Sequence, residues 1–276
     1  PVPKVLQSLG GKPLLQHVVD TCSKIEKAKL HIIVGEQKKL IQSSISAPKS
    51  TNWVIQKKQL GTGHAVKQVL PSLRANSQAV VLYGDGPLVK SSTLKKLISN
   101  VAKNNLTLLT FESANPKGLG RIIRQSNSKV SGIVEEKDAS SSEKQIKEVN
   151  SGILATSTKN LKQWLPKLRN NNASKEYYLT DIVTLCSSEN KSIKAINLGD
   201  TSELLGANDN QELQNLERIY QKETALRFLK YGVKFADINR VDFRGEISIG
   251  KNAFIDINVV LEGKVSIGSD SIISVG

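Results

Sequence analysis

The segment VIQKKQLGTGHAVKQVL, Val54–Leu70, runs from a short apolar stretch through a glutamine-rich turn into Gly61-Thr62-Gly63-His64 and then a helical-looking stretch. Strand, glycine loop and helix together are the building unit of an α/β sheet. Two glycines one residue apart at such a junction mark either a close approach of the backbone to something or a plain tight turn. The same alternation extends outward from this loop. Pro13–Ile25 is apolar at Leu14, Leu15, Val18, Val19, Cys22 and Ile25, a helical spacing with proline in the first turn. Leu30–Val34 and Trp53–Gln56 read as strands and Thr62–Leu73 as a helix. Ala79–Tyr83 is a strand running into Gly84-Asp85, STLKKLISNVA a helix, and Leu106–Phe111 a further strand. Continuous apolar strands alternating with helices predict a parallel sheet covered on both faces, with ligands beyond the carboxyl ends of its strands. The Gly61–His64 loop and the Gly84-Asp85 step both fall at such ends.

Residues 112–200 change character. GRIIR, VSGIVEEKDA and NSGILAT are short strands between glycines and polar turns and predict an antiparallel insertion, followed by helices near Leu161–Leu168 and Tyr178–Ser187. Glu203–Tyr231 is helical, with a break near Gly206–Asn210. From Phe243 a six-residue period sets in, with Phe243, Ile249, Ile255, Leu261, Ile267 and Ile273 in one phase and Ile247, Ala253, Val259 and Val265 in another. A fixed hexad predicts a parallel β-helix, whereas a meander of hairpins would show a period of two and Asn-Gly turns. With three hexads to a coil, Ile249 stacks on Ile267 and Ile255 on Ile273.

At 276 residues the chain holds one large domain or two smaller ones, and 38% hydrophobic with 23% charged residues is a globular composition. No run of eighteen apolar residues spans a membrane, and the opening PVPKVLQSLGGKPLL lacks the pattern of a secretion signal. Cys22 and Cys186 both sit in apolar helical patterns and read as buried hydrophobes, not a disulfide or metal pair, which points to the cytoplasm. A net charge of +14 favours anionic partners, a polyphosphate or a nucleic acid. The lysines are scattered and not interleaved with aromatics, so no nucleic-acid platform is expected. The absence of methionine and the start at Pro1-Val2-Pro3 predict that the natural start lies upstream.

Few residues carry chemistry by spacing alone. Asp85, at the end of an apolar strand beside Gly84, suits either a Mg2+ anchor or a turn before Gly86-Pro87. Lys4, GLGRIIR, VEEKDA and Asn150 each have ordinary surface or turn readings. His17 and His64 have no nucleophile or carboxylate at a catalytic spacing, and there is no HExxH or CxxC metal motif.

The combination is specific where the parts are not. In order, PKVL, GKPLLQHV, QLGTGHA, LYGDGPL, GLGRIIR, GIVEEKDA, NSGI, NNNASKEYYLTD and GANDNQELQNLER precede the hexads. This resembles, over essentially the whole chain, the bacterial bifunctional N-acetylglucosamine-1-phosphate uridyltransferase/glucosamine-1-phosphate acetyltransferase family. The resemblance implies a Rossmann-like nucleotidyltransferase with a mixed sheet and helices on both faces, followed by the start of a left-handed parallel β-helix. It divides the chain into a uridyltransferase domain at 1–208, a linker helix at 209–240 and the β-helix start at 241–276. By resemblance, Gln56 and the backbone of Gly61 and Thr62 read a uracil, and Tyr83, Gly84 and Asp85 line the ribose and phosphate region. Asp85 and Asn208 hold Mg2+, Lys4 contacts phosphate, and Gly120, Glu135 and Asn150 bind the N-acetylglucosamine. Lys4 and Asp85 are then the catalytic pair.

The implied reaction joins UTP to N-acetylglucosamine 1-phosphate, giving UDP-N-acetylglucosamine and pyrophosphate. The implied parent is a cytoplasmic homotrimer whose β-helix also acetylates glucosamine 1-phosphate from acetyl-CoA. Two departures stand out. The family's glycine-rich phosphate loop, with its arginine, does not precede PKVL, and the hexads stop within the β-helix. Residues 1–276 alone are therefore expected to be inactive. Another sugar-1-phosphate nucleotidyltransferase, or a non-catalytic sugar-nucleotide-binding protein, are the rival readings.

Overall fold

A computed structural model describes residues 2–103, 105–199 and 201–275. Along the chain the elements are β1 (Ser8–Leu9), β2 (Lys12–Pro13), α1 (Leu14–Cys22), β3 (His31–Val34), α2 (Lys38–Ser44), β4 (Asn52–Ile55), α3 (Thr62–Lys67), β5 (Gln78–Val81), α4 (Ser91–Val101) and β6 (Leu106–Glu112). There follow β7 (Arg121–Arg124), β8 (Val130–Val134), β9 (Glu148–Ser157), α5 (Thr158–Trp164), α6 (Asp181–Ser188), β10 (Ile193–Asn197) and α7 (Asn210–Tyr231). The last are β11 (Lys234–Phe235), β12 (Val241–Ile249), β13 (Phe254–Ile255), β14 (Val259–Ile267) and β15 (Ile272–Ile273). They fall into two compact units, one of residues 21–83 and 89–201, here the sheet unit, and one of residues 1–20, 84–88 and 202–276, here the coil unit.

In the sheet unit the strand order is β10-β6-β9-β7-β8, with β5 also on β9, and β3 pairs with β4 separately. β10 runs parallel to β6 and β3 to β4, while β9 is antiparallel to both β5 and β6. The sheet is therefore mixed. NSGILAT is not a strand of a peripheral insertion: in β9, Leu154 pairs with Val81 on one side and Leu108 on the other, and residues 152–156 are buried. A short apolar run looks the same at an edge and at the centre, because its neighbours come from positions remote in sequence. Leu106, Leu108, Ile122, Leu154, Leu161, Trp164 and Ile182 form the core. The helix at Thr62 is shorter than its apolar pattern: α3 ends at Lys67 and a 3-10 turn follows at Leu70–Ser72. Pro71 lies in that turn, and a proline has no N–H for a continuing helix and disfavours helical backbone before it. Cys186 is buried and Cys22 only half-buried, both free, with thiols pushed up to about 12 and about 11 chiefly by burial.

In the coil unit every pairing from β11 onward is parallel. Val241 pairs with Val259, Ile249 with Ile267 and Ile255 with Ile273, a constant step of eighteen residues, or three hexads. Left-handed backbone recurs at the same step, at Gly245 and Gly263 and at Asn252 and Asp270. Glycine, asparagine and aspartate tolerate that conformation best, so the turns repeat because these residues do. Ile249, Ile255, Leu261 and Ile267 are buried and Ile273 packs against them. α7 covers the start of the stack with Ala225 and Phe228, whose ring centroid lies 5.4 Å from that of Phe243. Gln221 is 2% exposed and pairs with both backbone groups of Phe243, donating to its carbonyl at 3.0 Å and accepting from its N–H at 2.7 Å. Gly232, at φ +105°, ends α7: its N–H donates to Leu229 O and that of Val233 to Phe228 O, both at 3.0 Å.

Candidate functional site

The glycine loop of the sheet unit is held by its own backbone. Gly63 N–H donates to Tyr177 O at 2.8 Å, Tyr177 N–H to Leu60 O at 2.8 Å, and Leu179 N–H to the Thr62 hydroxyl at 3.0 Å. A Cβ on Gly61, at φ +104°, would stand 2.7 Å from Tyr177 O, and one on Gly63 would stand 2.4 Å from Leu168 Cδ1. The close approach that the two glycines permit is thus to the Glu176–Tyr178 backbone and to Leu168. Above the loop, Gln56 donates from Nε2 to Gly61 O at 3.1 Å and lies 3.0 Å from His64 Nδ1.

The residues expected to bind sugar come together in the same unit. Asn150 N–H donates to Gly120 O at 2.8 Å. A Cβ on Gly120 would stand 2.9 Å from Ile133 and 3.3 Å from Glu135 Oε2, so only glycine leaves the end of β8 this close. β9 is irregular here, its register with β6 shifting between Leu108 and Thr110, opposite Asn150. Such a bulge re-aims side chains, and the Asn150 carboxamide turns back to accept from Gly152 N–H at 3.1 Å. The Tyr83 ring lies against Gly152, where a Cβ would be 1.9 Å from Cε2. Tyr83 is past the end of β5, whose ladder stops as β9 bulges, and it is 43% exposed.

Two supports in this region were not singled out from sequence. Thr180, buried, donates its hydroxyl to Glu135 Oε1 at 2.7 Å. Arg121, 1% exposed, pairs with Glu136 at 2.5 Å and donates to Leu119 O, and Glu136 accepts from Gly118 N–H at 3.2 Å, so the GLG turn is tied down. Their signal lay inside motifs, EYYLTD and GLGRIIR, where nothing in the spacing separates a support from a turn residue. Asp181, the first residue of α6, has its carboxyl pushed up to about 6, mainly by burial and then by the carboxylates of Glu135 and Asp138.

The coil unit contributes a second cluster. Lys4 sits in a single 3-10 turn, Asp85 in the 84–88 segment and Asn208 just before α7. Lys4 Nζ donates to Asn208 Oδ1 at 2.8 Å and ion-pairs with Asp85 Oδ2. Asn208 is fixed by the helix start: Asp209 accepts from Glu212 N–H at 2.8 Å, while Glu212 Oε2 accepts from Asn208 N–H at 2.6 Å. Gly84 leaves room for Leu15 and Val5, which a Cβ would meet at 3.3 and 3.4 Å. No group of three or more His, Cys, Asp or Glu side chains suited to a metal occurs among the described residues. One carboxylate and one amide oxygen around an ammonium is nonetheless a hard-donor set, which suits Mg2+ whose other ligands are phosphate and water.

Residues 2–128 match the model of the MobA-like NTP transferase domain. The chain is 44% identical over 272 residues to the bifunctional protein GlmU of Marinobacter nauticus, covering 99% of this chain and 60% of that protein. It is 46% identical over 267 residues to the bifunctional protein GlmU of Nitrosococcus oceani, covering 97% and 59%. The chain thus spans about 60% of the length of the curated relatives it matches. Among solved structures it is similar to UDP-glucose pyrophosphorylase complexed with UDP-glucose, with a TM-score of 0.64 at 16% identity, covering 80% of this chain and 91% of that one. It is also similar to HddC from Yersinia pseudotuberculosis, with a TM-score of 0.56 at 17% identity, covering 79% and 90%. These likenesses establish the nucleotidyltransferase α/β fold. No helix among the described residues is long and apolar enough to cross a membrane.

Proposed function

We propose that the chain is a member of the family of bifunctional GlmU proteins and that it carries residues for uridylyl transfer from UTP to N-acetylglucosamine 1-phosphate. An oxygen of the sugar phosphate attacks the α-phosphorus of UTP, the bond to the β-phosphate breaks, and pyrophosphate leaves with that electron pair. No covalent enzyme intermediate is needed, so the protein's work is positioning and charge neutralisation. The observation that carries this reading is Lys4 bridging Asp85 and Asn208, three polar groups far apart in sequence that form one oxygen-and-ammonium cluster.

In this reading Gln56 and the Gly61-Thr62 backbone take the uracil edge. Gly120, Glu135 and Asn150 take the N-acetylglucosamine hydroxyls and amide, and Tyr83 and Gly84 lie along the ribose. Lys4 turns its ammonium to phosphate oxygens. Asp85 and Asn208 are the residues that would hold Mg2+, which when bound supplies neutralisation of phosphate charge. The functional division is a uridyltransferase domain at 1–208, a linker helix at 209–240 and, from 241, the start of a left-handed β-helix. That β-helix, in a longer parent, would carry glucosamine-1-phosphate acetylation from acetyl-CoA and trimer formation. A cytoplasmic location fits these substrates.

The test is pyrophosphate release by the full-length protein with UTP, N-acetylglucosamine 1-phosphate and Mg2+, set against glucose 1-phosphate as acceptor. A rate with the N-acetylated acceptor at least about tenfold higher supports the reading, since one unpaired buried polar contact is worth about that factor. Equal rates would assign the chain to a different sugar.

A further inference from the structure

We infer that His64 sets base specificity by fixing which end of the Gln56 carboxamide faces the nucleotide; this rests on the reading that the glycine loop takes a pyrimidine base. Gly61 O, a carbonyl, can only accept, so the Gln56 atom 3.1 Å from it is the amide nitrogen. The same nitrogen lies 3.0 Å from His64 Nδ1. Its two protons therefore have two partners, and Oε1 is left as the outward group. Gln56 then presents a hydrogen-bond acceptor to the base.

His64 can hold Gln56 this way only while Nδ1 is unprotonated, which places the ring proton on Nε2. Gln68, one turn further along, donates to His64 O at 3.1 Å and has its carboxamide nitrogen 3.1 Å from Nε2. A neutral imidazole accepts at one nitrogen only. Each carboxamide nitrogen also meets a backbone carbonyl, Gln56 that of Gly61 and Gln68 that of His64. In the inferred arrangement Gln56 takes the accepting nitrogen, and Gln68 leaves His64 O to turn its oxygen to the Nε2 proton. The ring itself is placed by α3 and by Tyr177, with ring centroids 6.4 Å apart.

An outward acceptor demands a proton on the base. Uracil carries one at N3, flanked by carbonyl oxygens that suit the N–H groups of Gly61 and Thr62 at the start of α3. Cytosine has no proton at N3 and carries an amine where uracil has the 4-carbonyl. His64 is thus a positioning residue that makes the loop select an imide edge over an amidine edge. Substituting it removes one of the two restraints on the carboxamide, leaving Gly61 O alone to oppose rotation that would offer its N–H2 instead.

The experiment measures UTP and CTP affinity by calorimetry on the intact chain and on His64→Leu, His64→Asn and Gln56→Ala, with melting temperature followed for each. His64→Leu is expected to weaken UTP about tenfold and to narrow the UTP-to-CTP ratio by about the same factor, the effect of one hydrogen bond. His64→Asn places an oxygen near the position of Nδ1 and is expected to bring both values back to within about threefold. An unchanged ratio in His64→Leu, or equal loss in both His64 variants in proportion to melting temperature, overturns the inference. Absence of UTP binding by the unsubstituted chain, or undiminished UTP affinity in Gln56→Ala, overturns the base-loop reading itself, and this inference with it.

Discussion

The glycine loop of the sheet unit and the Lys4 cluster of the coil unit are built in opposite ways. The loop is positioned by main-chain hydrogen bonds to residues 177–179 and by contacts that admit no Cβ. The Lys4 cluster is made of side chains alone, with Lys4 38% and Asp85 25% exposed. Its three members satisfy one another, and an ion pair in such a setting is weak, about 0–1 kcal/mol, so each can exchange its partner for phosphate or a cation at little cost. On the proposed reading, base recognition would be prepared before a ligand arrives, while charge neutralisation would be assembled as it binds. One region is costly to deform and the other is easy to re-pair.

That contrast predicts different failures. Asp85→Asn is expected to lower uridylyl-transfer turnover of the full-length protein by at least about a hundredfold, the scale of one lost electrostatic stabiliser. Its melting temperature should stay where it was; a fall in stability to match would show that the cluster supports the fold. Gly61→Ala should do the reverse. The strained φ and the collision with Tyr177 O cost about 1–3 kcal/mol of folding stability, read by denaturant unfolding. If this variant unfolds like the parent, the loop is less closely packed than the contacts describe.

Smaller changes sharpen the comparison. Gln56→Ala should raise the KM for UTP about tenfold and leave that of the sugar phosphate alone, because the Glu135 region is supported separately by Thr180. A rise in the sugar-phosphate KM instead would move Gln56 out of the base pocket. The smallest effect is in Asp181→Asn. The native carboxyl titrates at about 6 against an ordinary 3.8, so between these values the folded chain binds more protons and this group's stability contribution falls as pH rises. The variant should be slightly more stable than the parent at neutral pH and equal to it below the ordinary carboxyl range. A difference that persists in acid would assign the effect to something other than charge.

Much of this was legible in the sequence because it is periodic or local. The hexads report their own pairing step, since each inward aliphatic side chain must meet the next coil, and β3, β4 and α4 follow from short-range patterns. β9 was misplaced because the difference between a central and a peripheral strand lies in its partners, Val81 and Leu108, not in its own residues. The motif residues at Gly120, Glu135 and Asn150 could be named, but not the bulge that turns Asn150 or the Thr180 hydroxyl behind Glu135. His64 was passed over because a catalytic histidine is sought beside nucleophiles and carboxylates, whereas its neighbours here are carboxamides.

Gln221 gives the coil stack a direction. Its carboxamide pairs with the N–H and the carbonyl of Phe243 as an adjacent strand would. A bare β edge is a template for any other chain with unpaired backbone, and such templating is how native sheets begin to aggregate. Here one side chain, buried under α7, closes that template at the position where the repeats begin. The ladder can then lengthen only away from α7. A change as small as Gln221→Leu would leave two main-chain groups unpaired in an apolar setting, and the expected phenotype is a lower melting temperature of the coil stack.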